Sequence, residues 1–182
     1  MIWFTADYHL SHKNIIKYCN RPFDNVNEMD GIIVQNLKEK LKSNDILYFL
    51  GDLTFNDEVA KSFFENFAHI EIHFIVGNHD SKKVINLANE YCKSVSLIKS
   101  INIEGQSITL CHYAMRVWHK SHFNSWQLYG HSHGSLKPVG KQYDVGVDNN
   151  IFFPISFESI LKIMEKSPNN FNYIPPEKRN RI

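Results

Sequence analysis

The stretch that most strongly indicates the fold is Ile70-Glu71-Ile72-His73-Phe74-Ile75-Val76-Gly77-Asn78-His79-Asp80. Its first part is rich in apolar, β-branched side chains and predicts a buried strand, and Gly77-Asn78 predicts a sharp turn at the strand's C-terminal end. Because α/β proteins bind ligands beyond the carboxyl ends of their strands, the three polar residues after Gly77 are candidate site residues. Taken alone, the same tetrapeptide is equally compatible with an ordinary surface turn.

Four other predicted strands are also followed directly by residues that commonly bind metal ions. In chain order, the five groups are Asp7-x-His9, Gly51-Asp52, Gly77-Asn78-His79-Asp80, His112 and Gly130-His131-Ser132-His133. Each motif alone is weak, since an Asp-x-His or a histidine after a strand is common without a metal. Because all five follow apolar strands, we expect them to meet at one site.

The remaining pattern predicts a single α/β domain. Amphipathic helices are expected between the first strands, whereas the segment from Ile101 to Cys111 predicts a hairpin. The change from strand–helix alternation to successive antiparallel strands suggests sheets in the middle and helices outside. We expect the domain to cover residues 1–166, and residues 167–182, which are rich in Asn, Pro and charge, to form an extended tail.

Composition excludes several classes of protein. With 182 residues and 43% hydrophobic content the chain is globular, and a net charge of +1 provides no strong field for extended nucleic acid or anionic membranes. The cysteines (Cys19, Cys92, Cys111) form no CxxC pair and are odd in number, which favours a reducing compartment. No signal peptide or membrane-spanning run is evident. We therefore expect a cytoplasmic protein.

The five groups have the chemistry of a two-metal centre. Alternate residues of an extended segment point the same way, so Asp7 and His9 can reach one ion together. His131 and His133 share this spacing, but a turn led by Gly130 could send them to different ions. Mixed carboxylate and imidazole ligands suit Mn²⁺, Fe or Zn²⁺, and a carboxylate such as Asp52 can bridge two cations about 3.5–4 Å apart.

With these motifs the sequence resembles the calcineurin-like metallophosphoesterases. The resemblance runs from Asp7-Tyr8-His9 to His133, and the opening Trp3 to Ile16 together with Arg21-Pro22-Phe23 resembles the small bacterial and phage branch. It implies a four-layer α/β/β/α sandwich with mixed sheets. It also implies two divalent metal ions, with Mn²⁺ favoured over Fe, Zn²⁺ or Ni²⁺, and a hydroxide bound to this dinuclear centre as the nucleophile.

The resemblance also implies a role for each matching residue. Asp7, His9 and His133 would hold one metal, Asp52 would bridge, and the second metal would be held by Asn78, His112 and His131. His79 would contact phosphate and act as the general acid, with Asp80 orienting its ring. A nearby carboxylate would fix the tautomer of such a histidine and raise its pKa.

Differences between these motifs and those of other family members restrict the substrates that we expect. Gly51-Asp52 is not followed by the Asp-Arg pair of the protein Ser/Thr phosphatases, and Asp80 stands where they have Glu. We therefore expect hydrolysis of a small phosphodiester, such as a nucleotide or a nucleic-acid end. One alternative is a phosphomonoesterase acting on a small phosphorylated metabolite. Another is a non-catalytic binding scaffold on the same fold, which intact ligand positions disfavour.

Several residues near the motifs leave more than one interpretation open. Asn78, Arg21 and Arg116 are candidate substrate-binding residues, although an isolated cation is more often solvated. His12 could approach the metals, but a histidine on a surface helix is the commoner case. The loop over residues 113–125 could shape a pocket for a nucleobase or simply cover the core. Asp148 follows the last strand and could touch the site, but a plain turn is the default interpretation.

Overall fold

A computed structural model of the chain describes residues 1–181, with side chains over residues 1–179. The strands are β1 (Ile2–Thr5), β2 (Ile46–Phe49), β3 (Glu71–Ile75), β4 (Ser94–Ser96), β5 (Ile98–Ile103), β6 (Gln106–Cys111), β7 (Trp126–Tyr129), β8 (Gln142–Asp144) and β9 (Ile155–Ser156). The α-helices are α1 (Ile15–Tyr18), α2 (Val26–Lys40), α3 (Asp57–Asn66), α4 (Lys82–Tyr91) and α5 (Phe157–Lys166). Short 3₁₀ helices occupy Ser121–Phe123, Val147–Asn149 and Pro176–Arg181.

The first sheet has the strand order β4-β3-β2-β1-β9. Its four strands from β1 to β4 are parallel, and only the short β9 runs antiparallel, against β1. Helices α2, α3 and α4 connect its parallel strands, as parallel pairing requires. The carboxyl ends of β1, β2 and β3 therefore lie along one edge, directly before Asp7, Asp52 and Asn78.

The second sheet has the order β5-β6-β7-β8 and is also mixed. The predicted hairpin is present, since β5 and β6 pair antiparallel from Ile98 to Cys111. The expectation of antiparallel strands beyond it is wrong, because β6 pairs parallel with β7 and β7 pairs parallel with β8. This parallel arrangement points the carboxyl ends of β6 and β7 the same way, so that His112 and His131 leave the sheet side by side.

Two apolar cores hold the layers together. One face of the first sheet, including Phe49 and Phe74, packs on helices α2 to α4. Its other face, including Phe4, packs on inward residues of the second sheet such as Leu110 and on α5. The predicted metallophosphoesterase-type α/β sandwich with mixed sheets is confirmed. Among residues 1–181, no helix combines the length and the apolar character needed to cross a bilayer.

The described part of the tail, residues 167–181, packs against the loop before β7. Asn170 is buried and its side-chain amide donates to the carbonyls of Ser121 and Ser125. The amide of Ile174 donates to the carbonyl of His122. These hydrogen bonds hold the described part of the tail against that loop, and residue 182 lies outside the described part.

Candidate metal centre

The predicted ligands meet in two groups at the carboxyl ends of the strands. In the first group Asp7, His9 and His133 place one donor atom each within 4.8 Å of one another. In the second group the same holds for Asp52, His112 and His131. His131 and His133 therefore belong to different groups, as the turn after Gly130 allowed.

Backbone conformation at these ligands is unusual. Five of them have positive φ: Asp7 (61°), His9 (51°), Asp52 (59°), His131 (64°) and His133 (47°). The left-handed region costs a residue with a Cβ about 1–3 kcal/mol, and such strain clusters at functional sites. Backbone hydrogen bonds hold this conformation, including those from the amides of Asp7 and His9 to the carbonyls of Gly51 and Asp52.

Two glycines allow the loops to approach the carboxylates closely. A Cβ on Gly130 would lie 2.7 Å from the Cβ of Ala6 and 2.8 Å from Oδ2 of Asp7. A Cβ on Gly77 would clash with Oδ1 and the backbone nitrogen of Asp52. Both positions exclude any side chain because ligand-bearing loops cross there.

In the first group His133 is fixed by a carboxylate behind it. Its Nδ1 lies 2.7 Å from Oδ2 of Asp148, which leaves Nε2 facing the group. Carboxylates that bind the far nitrogen of a metal-binding histidine fix its tautomer and its orientation. Asp148 therefore has a positioning role, which a default interpretation as a plain turn missed.

Arg21 supports this carboxylate and does not bind substrate as predicted. The guanidinium donates from Nε and Nη2 to the two oxygens of Asp148, both at 2.8 Å. It also donates to the carbonyls of Asp7 and Tyr8 and to Sδ of Met29. All five N–H donors are thus used inside the protein, and the side chain has no exposed surface.

We expect Asp148→Asn to lower Mn²⁺ affinity about 10- to 100-fold, the usual effect of losing such a hydrogen-bonding partner. The amide is a weaker acceptor for Nδ1 of His133 than the carboxylate is. Calorimetric Mn²⁺ titration, well below the melting temperature, measures the change. Asp24→Asn, at an exposed loop carboxylate, is the matched control. Unchanged affinity in Asp148→Asn would contradict the positioning role.

In the second group the backbone sets the tautomer of His112. Its Nδ1 lies 2.7 Å from the carbonyl oxygen of Leu50, so Nδ1 carries the proton and Nε2 offers a lone pair. That Nε2 lies 3.1 Å from Oδ1 of Asn78 and 3.3 Å from Oδ2 of Asp52. Asn78 is therefore placed with the second group, as the family resemblance implied.

Asp52 lies between the groups. Its Oδ2 is 3.5 Å from Nε2 of His9 in the first group and 3.3 Å from Nε2 of His112 in the second. Oδ1 accepts the backbone amide of His79 at 2.8 Å. Within the described residues, neither Oδ2 of Asp52 nor Nε2 of His9 has a hydrogen-bond partner, although both atoms are buried.

Burial and charge at these groups favour a cation. Burial raises the pKa of Asp7 to about 7 and lowers the pKa of His9 to about 3, so each resists ionisation there. Burial also opposes the charge on His133, but hydrogen bonds to Asp148 and Cys19 and the charges of Asp7 and Asp148 together outweigh this and raise the pKa to about 10. Buried, unpartnered oxygen and imidazole donors are costly unless something binds them, so the donor set fits divalent metal ions.

The predicted pairing of Asp80 with the ring of His79 is contradicted. Both carboxylate oxygens of Asp80 accept backbone amides instead, from Gly77 at 2.7 Å and from Asp52 and Leu53 at 3.0 Å. The carboxylate thus joins the loop after β3 to the loop after β2. Asp80 positions Asp52, and it has no hydrogen bond to His79 within the described residues.

A cleft of about 820 Å³ opens over both groups. His79 lines it, and so does His12, which lies before α1 rather than on the surface helix that the commoner interpretation assumed. Arg116 does not line it, contrary to the prediction of a substrate-binding residue. Its guanidinium carbon lies 4.3 Å from the ring centroid of Phe171 in the tail, because the loop carrying it is packed there.

Comparison with known proteins places this site in a family. Residues 2–145 match the model of the calcineurin-like phosphoesterase superfamily domain. An uncharacterised protein of Methanocaldococcus jannaschii is 33% identical over 174 residues, covering 91% of this chain and 92% of that protein. The crystal structure of a protein of unknown function from Aquifex aeolicus is 25% identical, covers 90% of this chain and 98% of that one, and has a TM-score of 0.71.

A structure described as a novel archaeal phosphodiesterase is 14% identical, with coverage of 80% of this chain and 82% of that chain. Its TM-score of 0.42 is too low to carry an argument about activity. The family match and the Methanocaldococcus relative cover most of the chain, and the ligand groups lie where the motifs predicted them. The chain therefore belongs to the calcineurin-like phosphoesterase superfamily and is a metallophosphoesterase.

Proposed function

We propose that the protein hydrolyses a small phosphodiester at a dinuclear metal centre. One observation carries the dinuclear part: the unpartnered Oδ2 of Asp52 lies within 3.5 Å of imidazole nitrogens from both ligand groups. Asp7, His9 and His133 would hold one cation, and Asn78, His112 and His131 the other, with Asp52 shared. Bound there, divalent cations, for which we favour Mn²⁺, supply an acidified water and neutralise phosphoryl charge.

His79 is proposed as the general acid. It lines the cleft, and its ring centroid lies 5.1 Å from that of His9. Its backbone amide donates to Oδ1 of Asp52, so the backbone at His79 is held beside the ligands. Within the described residues its ring nitrogens make no hydrogen bond, which supports their use toward substrate. His79 would hold a proton at a ring nitrogen and transfer it to the leaving oxygen.

Charge in the cleft favours a diester over a monoester. Among residues 1–179, whose side chains the structure describes, no lysine or arginine lines the cleft, so cation charge from this part of the chain would come from bound metals and protonated histidines. A phosphodiester carries one negative charge, whereas a monoester near neutral pH carries nearly two. The net charge of +1 likewise favours a small substrate over extended nucleic acid.

We also propose a cytoplasmic location, which the free thiols of Cys19, Cys92 and Cys111 support.

We expect Mn²⁺-loaded protein to hydrolyse bis-p-nitrophenyl phosphate with a higher kcat/KM than p-nitrophenyl phosphate. Both esters release the same phenolate, so the ratio reports on the charge and size of the bound phosphate. Removing the metal with a chelator should abolish both activities, and Mn²⁺ should restore them. Preference for the monoester would favour a phosphomonoesterase, and absence of turnover on both would favour a binding scaffold.

A further inference from the structure

A row of aromatic rings extends outward from His79. The ring of Phe55 lies 4.8 Å from that of His79, at an interplanar angle of 85°. His12 follows at 5.0 Å from Phe55 and 82°, and Tyr18 follows at 6.2 Å from His12 and 76°. Each contact is edge-to-face, the arrangement that aromatic quadrupoles favour. We call Phe55, His12 and Tyr18 the aromatic row.

The two ends of the aromatic row, Phe55 beside His79 and Tyr18 farthest from it, are exposed to solvent. Tyr18 is 72% exposed and Phe55 is 47% exposed. Tyr18 and His12 line the cleft together with His79, so the exposed surface adjoins the proposed site of chemistry. Large aromatic side chains held beside a cleft, rather than in a core, are typical of surfaces that stack on a planar ligand.

Because His79 is the proposed proton donor, the aromatic row beside it lies on the leaving-group side of the substrate. Under the proposed function, on which this inference rests, His79 donates its proton to the leaving oxygen. The aromatic row leads from His79 past Phe55 and His12 to Tyr18, so a group carried by that oxygen can lie along it. We propose that this group is a nucleoside, with its base stacked on Tyr18 and its ribose spanning the inner part of the row.

In the part of the chain whose side chains are described, no lysine or arginine lines the cleft, which agrees with an uncharged leaving group. A nucleoside brings a planar π-system without further phosphate, whereas a nucleoside di- or triphosphate would bring anionic charge that no described lysine or arginine there would neutralise. In the step itself, a water oxygen bonds to phosphorus and releases one proton to solvent, from which His79 is later reprotonated, and the bond between phosphorus and O5′ breaks. The proton held by His79 passes to O5′, which leaves as the nucleoside alcohol.

The test compares two diesters that share their chemistry. Adenosine 5′-(methyl phosphate) and 1-O-methylribose 5-(methyl phosphate) have the same primary leaving oxygen and differ only in the base. We expect kcat/KM of the Mn²⁺-loaded protein to be higher for the adenosine ester by about 5- to 150-fold, the range for stacking one base. The products should be adenosine and methyl phosphate rather than adenosine 5′-phosphate and methanol.

Variants of Tyr18 connect this preference to the aromatic row. Tyr18→Ala should reduce the preference for the adenosine ester at least fivefold, while Tyr18→Phe should keep most of it because the ring remains. Phe171→Ala is the matched control, since this ring is 54% exposed but lies in the tail outside the cleft lining. It should leave the preference unchanged.

The outcomes separate the inference from the proposed function. Equal hydrolysis of both esters, or a preference unaffected by Tyr18→Ala, would overturn the nucleoside subsite while leaving the phosphodiesterase proposal intact. Release of methanol would overturn the orientation along the aromatic row. If neither ester is hydrolysed, the proposed function fails, and calorimetric binding of the two intact esters then decides the inference. Equal affinities would overturn it, and tighter binding of the adenosine ester would support it.

Discussion

Asp52→Asn is expected to lower metal-dependent hydrolysis by at least about 1,000-fold. Metal ions contribute several kcal/mol of charge stabilisation in the transition state, which loss of their shared carboxylate would remove, and each 1.36 kcal/mol corresponds to a factor of ten in rate. The amide has nearly the same shape and can still accept the backbone N–H of His79, which Oδ1 now accepts. The loss should therefore come from the missing charge between His9 and His112. Steady-state kinetics and metal analysis of the same sample measure it.

The matched control for this change is Asp57→Asn. Asp57 is a carboxylate at the start of α3 that pairs with Lys83 on the surface, at 3.1 Å. Surface pairs of this kind contribute little to stability, so the control should keep its activity and its metal content. If Asp52→Asn retained wild-type turnover and metal content, the shared-ligand role would be refuted.

His79→Ala should lower kcat by about 100- to 10,000-fold while leaving the metal content unchanged, since general-acid catalysis contributes a factor of this size. The loss should be larger for an alkyl leaving group than for p-nitrophenolate, because a better leaving group needs its proton less. A steeper dependence of rate on leaving-group pKa is thus the diagnostic measurement. A purely structural role for His79 would instead lower both rates equally.

His69→Ala is the control for His79→Ala. His69 is exposed, lies before β3 and does not line the cleft, so its removal should change neither the rate nor the leaving-group dependence. Undiminished turnover in His79→Ala would end the general-acid assignment, whatever the metal content.

The metal-ligand groups could be predicted from the sequence because their positions depend on neighbouring residues in the chain. Each predicted ligand directly follows a strand, and parallel strands deliver their carboxyl ends to one edge. The structure brings Asp7 and His9 together, but not through the conformation that their spacing predicted. An extended segment was expected to point both side chains the same way, but both residues are in the left-handed region. Sequence spacing alone does not reveal that conformation.

The supporting contacts were not accessible from sequence because they join distant positions. Arg21 and Asp148 are 127 residues apart, and nothing local to either indicates the bidentate pair. A loop arginine near metal motifs suggests phosphate binding, and only the three-dimensional fold shows that its donors are all engaged. Asp80 similarly follows His79 directly in sequence, but the loop after β3 turns its carboxylate toward the amides of Asp52 and Leu53.

The most direct test of the shared-carboxylate site is Mn²⁺ titration of metal-free protein, followed by electron paramagnetic resonance. Two ligand groups joined by Asp52 predict binding of about two Mn²⁺ per chain, with the signal of a magnetically coupled pair, because a bridging carboxylate holds cations about 3.5–4 Å apart. The Asp52→Asn protein should lose the coupled signal. Saturation at one ion, or two ions whose signals remain uncoupled in the wild-type protein, would contradict the account.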